Sequence, residues 1–300
     1  MSHLVLLRKQ IKSIQTTRKI THAVRLVSMS LYAKLEKLHV SLNYYLTNTE
    51  GFFIELARLV PEWKSHLFSP DDIFDTRPLV ILVATTKGLC GSLNFNLFRF
   101  FERSFFLGEH QVPRFVTIGQ KATRYVKEKG LGDILCSYNE LNSNNYMSIT
   151  NDLVHRVLTR ETGFSSVVFY SNFLKSFFIQ KPEKTVLIPL NLCQKIKDSL
   201  QEKDNNERSQ SLFYDEKSEI IWEQDKFETL DALSMMYAKG VVMQLLFQSL
   251  LAEQAARFLA MDSSTSNADK FLEKLVLQFN KQRQAVITKE ISELSSSSSQ

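Results

Sequence analysis

The six prolines of this 300-residue chain are confined to its middle, between Pro61 and Pro189. The residues outside that stretch contain only two of the nine glycines, Gly51 and Gly240. Proline and glycine are the strongest breakers of regular structure, so long ends almost without them favour long helices. The distribution therefore predicts a rod of two terminal helices that flank a compact domain.

The first 60 residues carry a seven-residue repeat, which is typical of a coiled coil. The repeating positions are Leu7, Ile14, Thr21, Ser28, Leu35 and Leu42. The partner row that we predict changes along the helix, as a stutter would make it do, and consists of Leu4, Ile11, Val24, Leu31, Leu38 and Tyr45. Polar side chains interrupt the seam between Arg18 and Ser28, and we expect the coiled coil to be weak there.

The C-terminal part divides into three predicted segments. Residues 194–229 are polar and acidic, and we predict an irregular segment there. Residues 230–294 have apolar side chains at spacings of three and four, which indicates a second amphipathic helix with a disturbance at 262–267. Residues 295–300 are five serines and a glutamine, which we expect to be disordered.

Residues 61–193 alternate between strand and helix patterns. The predicted strands are 79–84, 115–118, 134–136, 166–170 and 185–188, and the helices between them are 94–106, 120–129 and 146–160. Such alternation predicts an open, mostly parallel α/β sheet. The fold class is thus α/β plus long helices: an antiparallel coiled coil of the terminal helices with an inserted Rossmann-like α/β domain.

One turn in this domain has the position of a phosphate-binding loop. Gly88 and Gly91 follow the first predicted strand and precede a helix. The second glycine is not followed by Lys and Ser or Thr, so the turn lacks the Walker A pattern. We favour a tight packing turn with a buried Cys90. The sequence shows no metal or catalytic motif, and we expect no cofactor and no enzyme activity of the chain itself.

Composition narrows the class of protein further. With 44% hydrophobic and 23% charged residues, the chain can build a core. Its longest apolar run, 79–84, is far shorter than the roughly 20 residues of a membrane span, and we see no secretory signal. Residues 1–40 hold eight Lys and Arg against one Glu, which suits nucleic acid, a membrane surface, an acidic protein or plain solvent.

Three motifs resemble one known family, in the right order. Residues 252–262 and 280–293 look like the C-terminal helix of the gamma subunit of rotary F-type ATP synthases, with its pattern A-A-R-M-x-A-M and R-Q-A-x-I-T-x-E-I. Residues 8–23 resemble its L-R-x-R-I and K-I-T-x-A, and residues 88–94 resemble its G-L-C-G-G-L-N. The departures include Val24 and Leu26 for methionines, Ser92 for a glycine, and the serine-rich end.

The resemblance implies a central rotor shaft that couples proton flow to ATP synthesis. The partners it implies are the alpha/beta catalytic ring, the epsilon subunit and the c-ring, with no nucleic acid and membrane contact only through the complex. The implied location is the cytoplasmic face of a bacterial inner membrane. The positions that match partner-contact positions of the family are Arg8, Lys9, Val24, Arg257, Gln284, Thr288, Glu290 and Glu293.

Alternatives remain open from the sequence alone. A basic coiled-coil protein could bind nucleic acid or act as an adaptor, although aromatic or glycine-bearing RNA motifs are missing. An α/β enzyme could use the Gly88–Gly91 turn, although catalytic groups are missing. A divergent paralogue of the gamma subunit would carry the same motifs.

Overall fold

The two ends of the chain form long helices that pack against each other. The computed structural model describes residues 2–60, 62–63, 77–105, 112–158, 164, 166–188 and 222–297. Helix α1 is Ser2–Leu59, and helix α5, the fifth helix of the described residues, is Lys226–Ser297. At 1.5 Å per residue these helices are about 90 Å and 110 Å long. The predicted coiled-coil rod of N- and C-terminal helices is confirmed.

The two helices run antiparallel in one continuous register. Arg18 pairs with Asp269, Thr21 with Thr265, and Arg25 with Asp262. Farther along, Asn43 and Gln244 are joined by a 2.9 Å hydrogen bond. In every pair the two residue numbers add up to 286 or 287, so the register is unchanged from residue 18 to residue 43.

A five-stranded sheet lies between the two long helices in sequence. Its strands are β1 (Leu79–Val83), β2 (Arg114–Ile118), β3 (Asp133–Tyr138), β4 (Val167–Ser176) and β5 (Ile179–Ile188). The intervening helices are α2 (Leu93–Phe105), α3 (Gln120–Lys129) and α4 (Tyr146–Leu158). The strand order is β3-β2-β1-β4-β5, and all neighbours are parallel except β4 and β5. The mostly parallel α/β domain is thus confirmed.

The sheet shares one of its two cores with the rod. Because side chains alternate along a strand, Leu79, Ile81 and Val83 of β1 face one side and Val80 and Leu82 the other. The first set packs with buried residues of α1, α4 and α5, and the second packs against α2 and α3. The inserted domain is therefore fixed to the rod by a common apolar core.

The last two strands differ from the predicted ones in length and direction. Strands β4 and β5 are each ten residues long and form an antiparallel hairpin that turns at Phe177 and Phe178. The half of each strand next to the turn carries polar residues, so the apolar pattern predicted only the other half as strand. Pro182 lies in β5, an edge strand, where a missing N–H donor is tolerated.

Several predicted details of the helices are wrong. Helix α5 begins at Lys226, so the last four residues of the predicted irregular segment 194–229 are helical, and the rest up to residue 221 lie outside the described residues. The helix ends at Ser297, so the first three residues of the predicted disordered tail are helical, and 298–300 are not described.

The expected disturbance at 262–267 is absent, because α5 is continuous there. The Ser264 and Thr265 hydroxyls each lie 2.7 Å from the carbonyl oxygen four residues earlier, so these polar side chains are satisfied within the helix. The partner row was wrong in the second half of α1. Leu31, Leu38 and Tyr45 are exposed, and buried positions there are instead Tyr32, Leu46 and Phe53.

Candidate functional site

The turn after β1 docks the α/β domain onto the rod. Asn94 holds the turn together, since its Oδ1 accepts from the Thr85 N–H at 3.1 Å and its Nδ2 donates to Thr85 Oγ1 at 2.7 Å. Leu89 and Gly91 adopt positive φ angles of 66° and 59°. A Cβ built on Gly91 would lie 3.7 Å from the Cβ of Ala260 in α5. The turn thus approaches α5 closely.

Cys90 lies inside this turn and is buried. Its side chain is 4% exposed and packs with Leu93 and with Ala256 of α5. The Sγ atom is 3.5 Å from Asn94 Nδ2 and 3.7 Å from Thr85 Oγ1. Those neighbours are an amide and a hydroxyl, and neither is a base that would activate a thiol nucleophile.

Close to the turn, Arg257 is held within its own helix. Its guanidinium donates to Glu253 at 2.5 Å and to Gln254 Oε1 at 3.2 Å, and its side chain is only 12% exposed. Burial raises the pKa of Glu253 above its ordinary value, and the Arg257 charge opposes that shift. Sequence reasoning singled out Arg257 without its partner, although the spacing of four residues could have revealed the pair.

The other predicted contact positions lie near the far end of the rod. Gln284, Thr288, Glu290 and Glu293 are exposed. In the register of the rod, residue 284 of α5 faces residue 2 of α1, so Thr288, Glu290 and Glu293 stand on a single helix beyond the pair. The Thr288 hydroxyl donates to the Gln284 carbonyl at 2.9 Å. These side chains therefore project from a tip that α1 does not cover.

The predicted positions of α1 are more scattered. Arg8 and Lys9 are exposed, and Val24 is half-buried against the rod. Arg8 and Lys9 lie apart from Gly88 and Gly91, because Gly91 approaches Ala260, which faces residues 26–27 of α1 in the register of the rod. Exposed apolar side chains accompany them, namely Val5, Leu6, Ile20, Leu26 and Val27. This end of the rod therefore presents both cationic and apolar surface.

The described residues contain no cluster of three or more His, Cys, Asp or Glu side chains that could hold a metal ion. By length and composition alone, one window of α5 reaches a mean hydropathy of 1.2, enough to cross a membrane. Of that window 44% is buried inside the protein. A core helix passes the same test, so this is weak evidence for a membrane span.

Comparison with known proteins agrees with the motifs. The sequence model of the ATP synthase family matches residues 3–299. An ATP synthase gamma chain of Clostridium perfringens is 31% identical over 292 residues, which are 96% of this chain and 94% of that one. A gamma chain of Acinetobacter baumannii is 29% identical and covers 98% of both chains.

Solved structures share the fold. A chain from the mitochondrial ATP synthase of Euglena gracilis, in a structure of OSCP, F1 and c-ring, superposes with a TM-score of 0.62 at 14% identity. The match covers 98% of this chain and 92% of that one. A chain of the Euglena rotor gives a TM-score of 0.59 and covers 95% and 99%. With the family match over nearly the whole sequence, the chain belongs to the ATP synthase gamma-chain family, the central rotor stalks of F-type ATP synthases.

Proposed function

We propose that the chain turns as a non-catalytic shaft inside an alpha/beta catalytic ring, with its α/β domain toward an epsilon subunit and a c-ring. The observation that carries the proposal is the shape of the rod. Two antiparallel helices in unbroken register extend past the docking turn at Gly91, and α5 continues past α1. Such a rod suits a rotating shaft, because a long helical surface can slide against a surrounding ring of subunits.

The distribution of polar groups supports the same use. Arg8 and Lys9 are exposed near the end of the rod, among exposed apolar side chains. Exposed cations attract acidic surfaces of a partner over a long range, and this attraction does not require one fixed orientation of the rod. Gln284, Thr288, Glu290 and Glu293 on the uncovered tip of α5 would meet the ring, whereas Arg257 would act mainly through its pair with Glu253.

The common core of rod and sheet supports torque transfer. Leu79, Ile81 and Val83 pack with the rod helices, and the Gly88–Gly91 turn approaches Ala260 of α5. A force applied to the α/β domain would therefore reach α1 and α5 through packed side chains. We place the complex at the cytoplasmic face of a bacterial inner membrane, where the chain would be peripheral.

Reconstitution tests this function. The purified chain is mixed with the alpha and beta subunits of its own source, and ATPase activity and complex size are measured. We expect a complex with one copy of this chain per hexameric ring. Recovery of the chain alone, or with nucleic acid that absorbs at 260 nm, would refute the proposal.

A further inference from the structure

A polar layer crosses the rod where the apolar seam is interrupted. We define it as the six residues Arg18, Thr21, Arg25, Asp262, Thr265 and Asp269. We propose that this polar layer specifies the axial register in which α1 pairs with α5. The inference goes beyond the shaft function, because it concerns how this chain selects one of several possible helix pairings.

Each residue of the polar layer has a partner on the other helix. The Thr21 and Thr265 hydroxyls are buried and lie 2.9 Å apart, and each also reaches a carbonyl of its own helix. One helical turn to each side, an arginine of α1 meets an aspartate of α5. Arg25 Nη1 contacts Asp262 Oδ1 at 2.5 Å, and Arg18 pairs with Asp269. Two ion pairs therefore bracket a buried hydroxyl pair.

The apolar seam alone does not define this register. Its positions repeat every seven residues, as in Leu7, Ile14, Leu35 and Leu42, so a shift of one heptad again brings apolar rows together. A polar residue in a coiled-coil seam reduces that degeneracy, because a wrong register loses its partner across the seam. The polar layer occupies this kind of position, because Thr21 belongs to the heptad row of α1. Thr21 and Thr265 keep the carbonyl contacts within their own helices in any register, so the two ion pairs carry most of the preference.

Each one-heptad shift breaks the polar layer. In one direction Arg25 would face Asp269, but Arg18 would face Val276 and Thr21 would face Leu272. In the other direction Arg18 would face Asp262, Arg25 would face Ala255, and Thr21 would face Phe258. Only the observed register forms both ion pairs and the hydroxyl pair at once.

Two contacts at the domain end favour the same register. Gly240 leaves room for Leu46, since a Cβ on Gly240 would lie 2.3 Å from Leu46 Cδ2. A one-heptad shift would put Phe247 or Leu233 at that place. The Asn43–Gln244 hydrogen bond would be lost in both shifts, because Leu251 or Tyr237 would face Asn43.

Two double variants with the same composition test the proposal. R18Q/D262N leaves Arg25 and Asp269, which meet only after a one-heptad shift. R18Q/D269N is the matched control, because it also removes one Arg and one Asp but keeps the native pair of Arg25 and Asp262. In the parent chain and in the control, the native register has one ion pair more than the shifted register. In R18Q/D262N the shifted register has one ion pair more than the native register.

Disulfide mapping reads the register in the full-length chain. Ile14→Cys with Leu272→Cys reports the native register, and Ile14→Cys with Phe279→Cys reports the shifted one. In the native register the second pair is about 10 Å out of step along the helix axis, beyond disulfide reach. Each chain is refolded from denaturant under reducing conditions and then oxidised, and mass spectrometry locates the disulfide.

We expect R18Q/D262N to raise the ratio of shifted to native disulfide roughly tenfold, the effect of two exposed ion pairs, and R18Q/D269N to leave it unchanged. T21V/T265V, of equal side-chain volume, should also raise the ratio. Equal ratios in all four chains, or an equal rise in both double variants, would overturn the proposal. Because no partner subunit is used, this result is independent of whether the chain assembles with an ATPase.

Discussion

Gly240 of α5 lies against Leu46 of α1 so closely that an added methyl group would stand 2.3 Å from Leu46 Cδ2. Leu46 is 6% exposed, so it has little room to move away. The glycine is the only one in the last 111 residues of the chain, and it falls inside a 72-residue helix where glycine is otherwise unfavourable. Close approach of the two helices explains why it is there.

Gly240→Ala should therefore destabilise the rod although alanine is the better helix former. Overpacking costs about 1–3 kcal/mol, and the gain in helix propensity offsets about 0.5–1 kcal/mol of it. We expect the free energy of unfolding in urea to fall by about 1 kcal/mol. In a Leu46→Ala background the same change should become stabilising, because the obstacle is gone. Loss of stability of equal size in both backgrounds would contradict this explanation.

A second prediction concerns the effect of pH on the rod. His39 of α1 is half-buried, with its ring edge-on to Phe247 at 6.2 Å between centroids. Burial lowers the pKa of His39 below its ordinary 6.5, and the charge of Glu36 opposes the shift only in part. The folded chain thus favours the neutral ring, so stability is complete above pH 6.5 and is lost as pH falls from there toward the folded pKa.

The measurement is thermal unfolding of His39→Gln and of the parent chain between pH 7.5 and pH 5. The difference should be below about 1 kcal/mol because the ring is half in solvent, and the parent should lose relatively more stability on acidification. His22→Gln is the control, since His22 is exposed on the same helix. A parallel pH dependence in parent and His39→Gln would show that His39 does not contribute.

The isolated chain should hydrolyse no ATP. Cys90 is buried between Thr85, Asn94 and Ala256, and the turn lacks the Walker A lysine that reaches the phosphates. The measurement is phosphate release by the purified chain, with Asn94→Ala as a structural variant and Lys87→Ala as a variant of the exposed cation that precedes Gly88. Turnover that both parent and Asn94→Ala show and Lys87→Ala loses would establish a nucleotide site at this turn.

The exposed cations of α1 should act as a group. Arg8, Lys9, Lys12 and Lys19 are exposed, whereas Arg18 belongs to the polar layer and is left unchanged. One exposed charge pair contributes less than about 1 kcal/mol, so single changes should be mild. Reversal of all four to Glu should weaken assembly with the catalytic ring, most strongly at low salt where screening is least.

Four cations on the other side of the sheet provide a matched control for this reversal. Arg99 and Arg103 of α2 and Lys121 and Lys127 of α3 are also exposed. Their reversal to Glu changes the net charge of the chain equally but should leave ring assembly intact. If both reversals weaken assembly to the same degree, net charge rather than the rod surface is responsible.

The sequence predicts the architecture better than it predicts contacts between helices. The heptad row of Leu7, Thr21, Ser28 and Leu35 is buried in the structure, because a seven-residue repeat on one helix needs no knowledge of the other. The partner row failed beyond Val24, because there the inserted domain as well as α5 packs on α1, for example through Phe177 of the β4–β5 turn against Tyr32. That contact depends on where the inserted domain docks on the rod, which the pattern of one helix does not show.

The polar layer shows the same limit. Arg18, Thr21 and Arg25 look like a weak point when α1 is considered alone, and Asp262 and Thr265 look like a break when α5 is considered alone. Each set is the partner of the other. Their pairing depends on a register that no single helix encodes, so inspection of local patterns finds two defects where the structure has one complementary layer.

The tip of α5 gives the last prediction, because the predicted contacts and the serine tail lie there side by side. Gln284 is exposed at the level where α1 begins. The Thr288 hydroxyl donates to the Gln284 carbonyl oxygen at 2.9 Å. Neither Gln284→Leu nor Thr288→Val shortens the helix. If these side chains face only solvent, each substitution changes the free energy of unfolding by less than about 0.5 kcal/mol. Both changes should nevertheless impair proton pumping if the tip contacts the catalytic ring.

Proton pumping is compared in membranes that carry Gln284→Leu, Gln278→Leu or a chain truncated after Leu294. Gln278 is also an exposed glutamine of α5, but it precedes the four predicted contact positions Gln284, Thr288, Glu290 and Glu293, so its replacement should leave pumping unchanged. Truncation removes only the last turn of α5 and the residues after it, and we expect it to be tolerated. If truncation abolishes pumping while Gln284→Leu pumps fully, the serine tail is required and Gln284 is not, which contradicts this prediction.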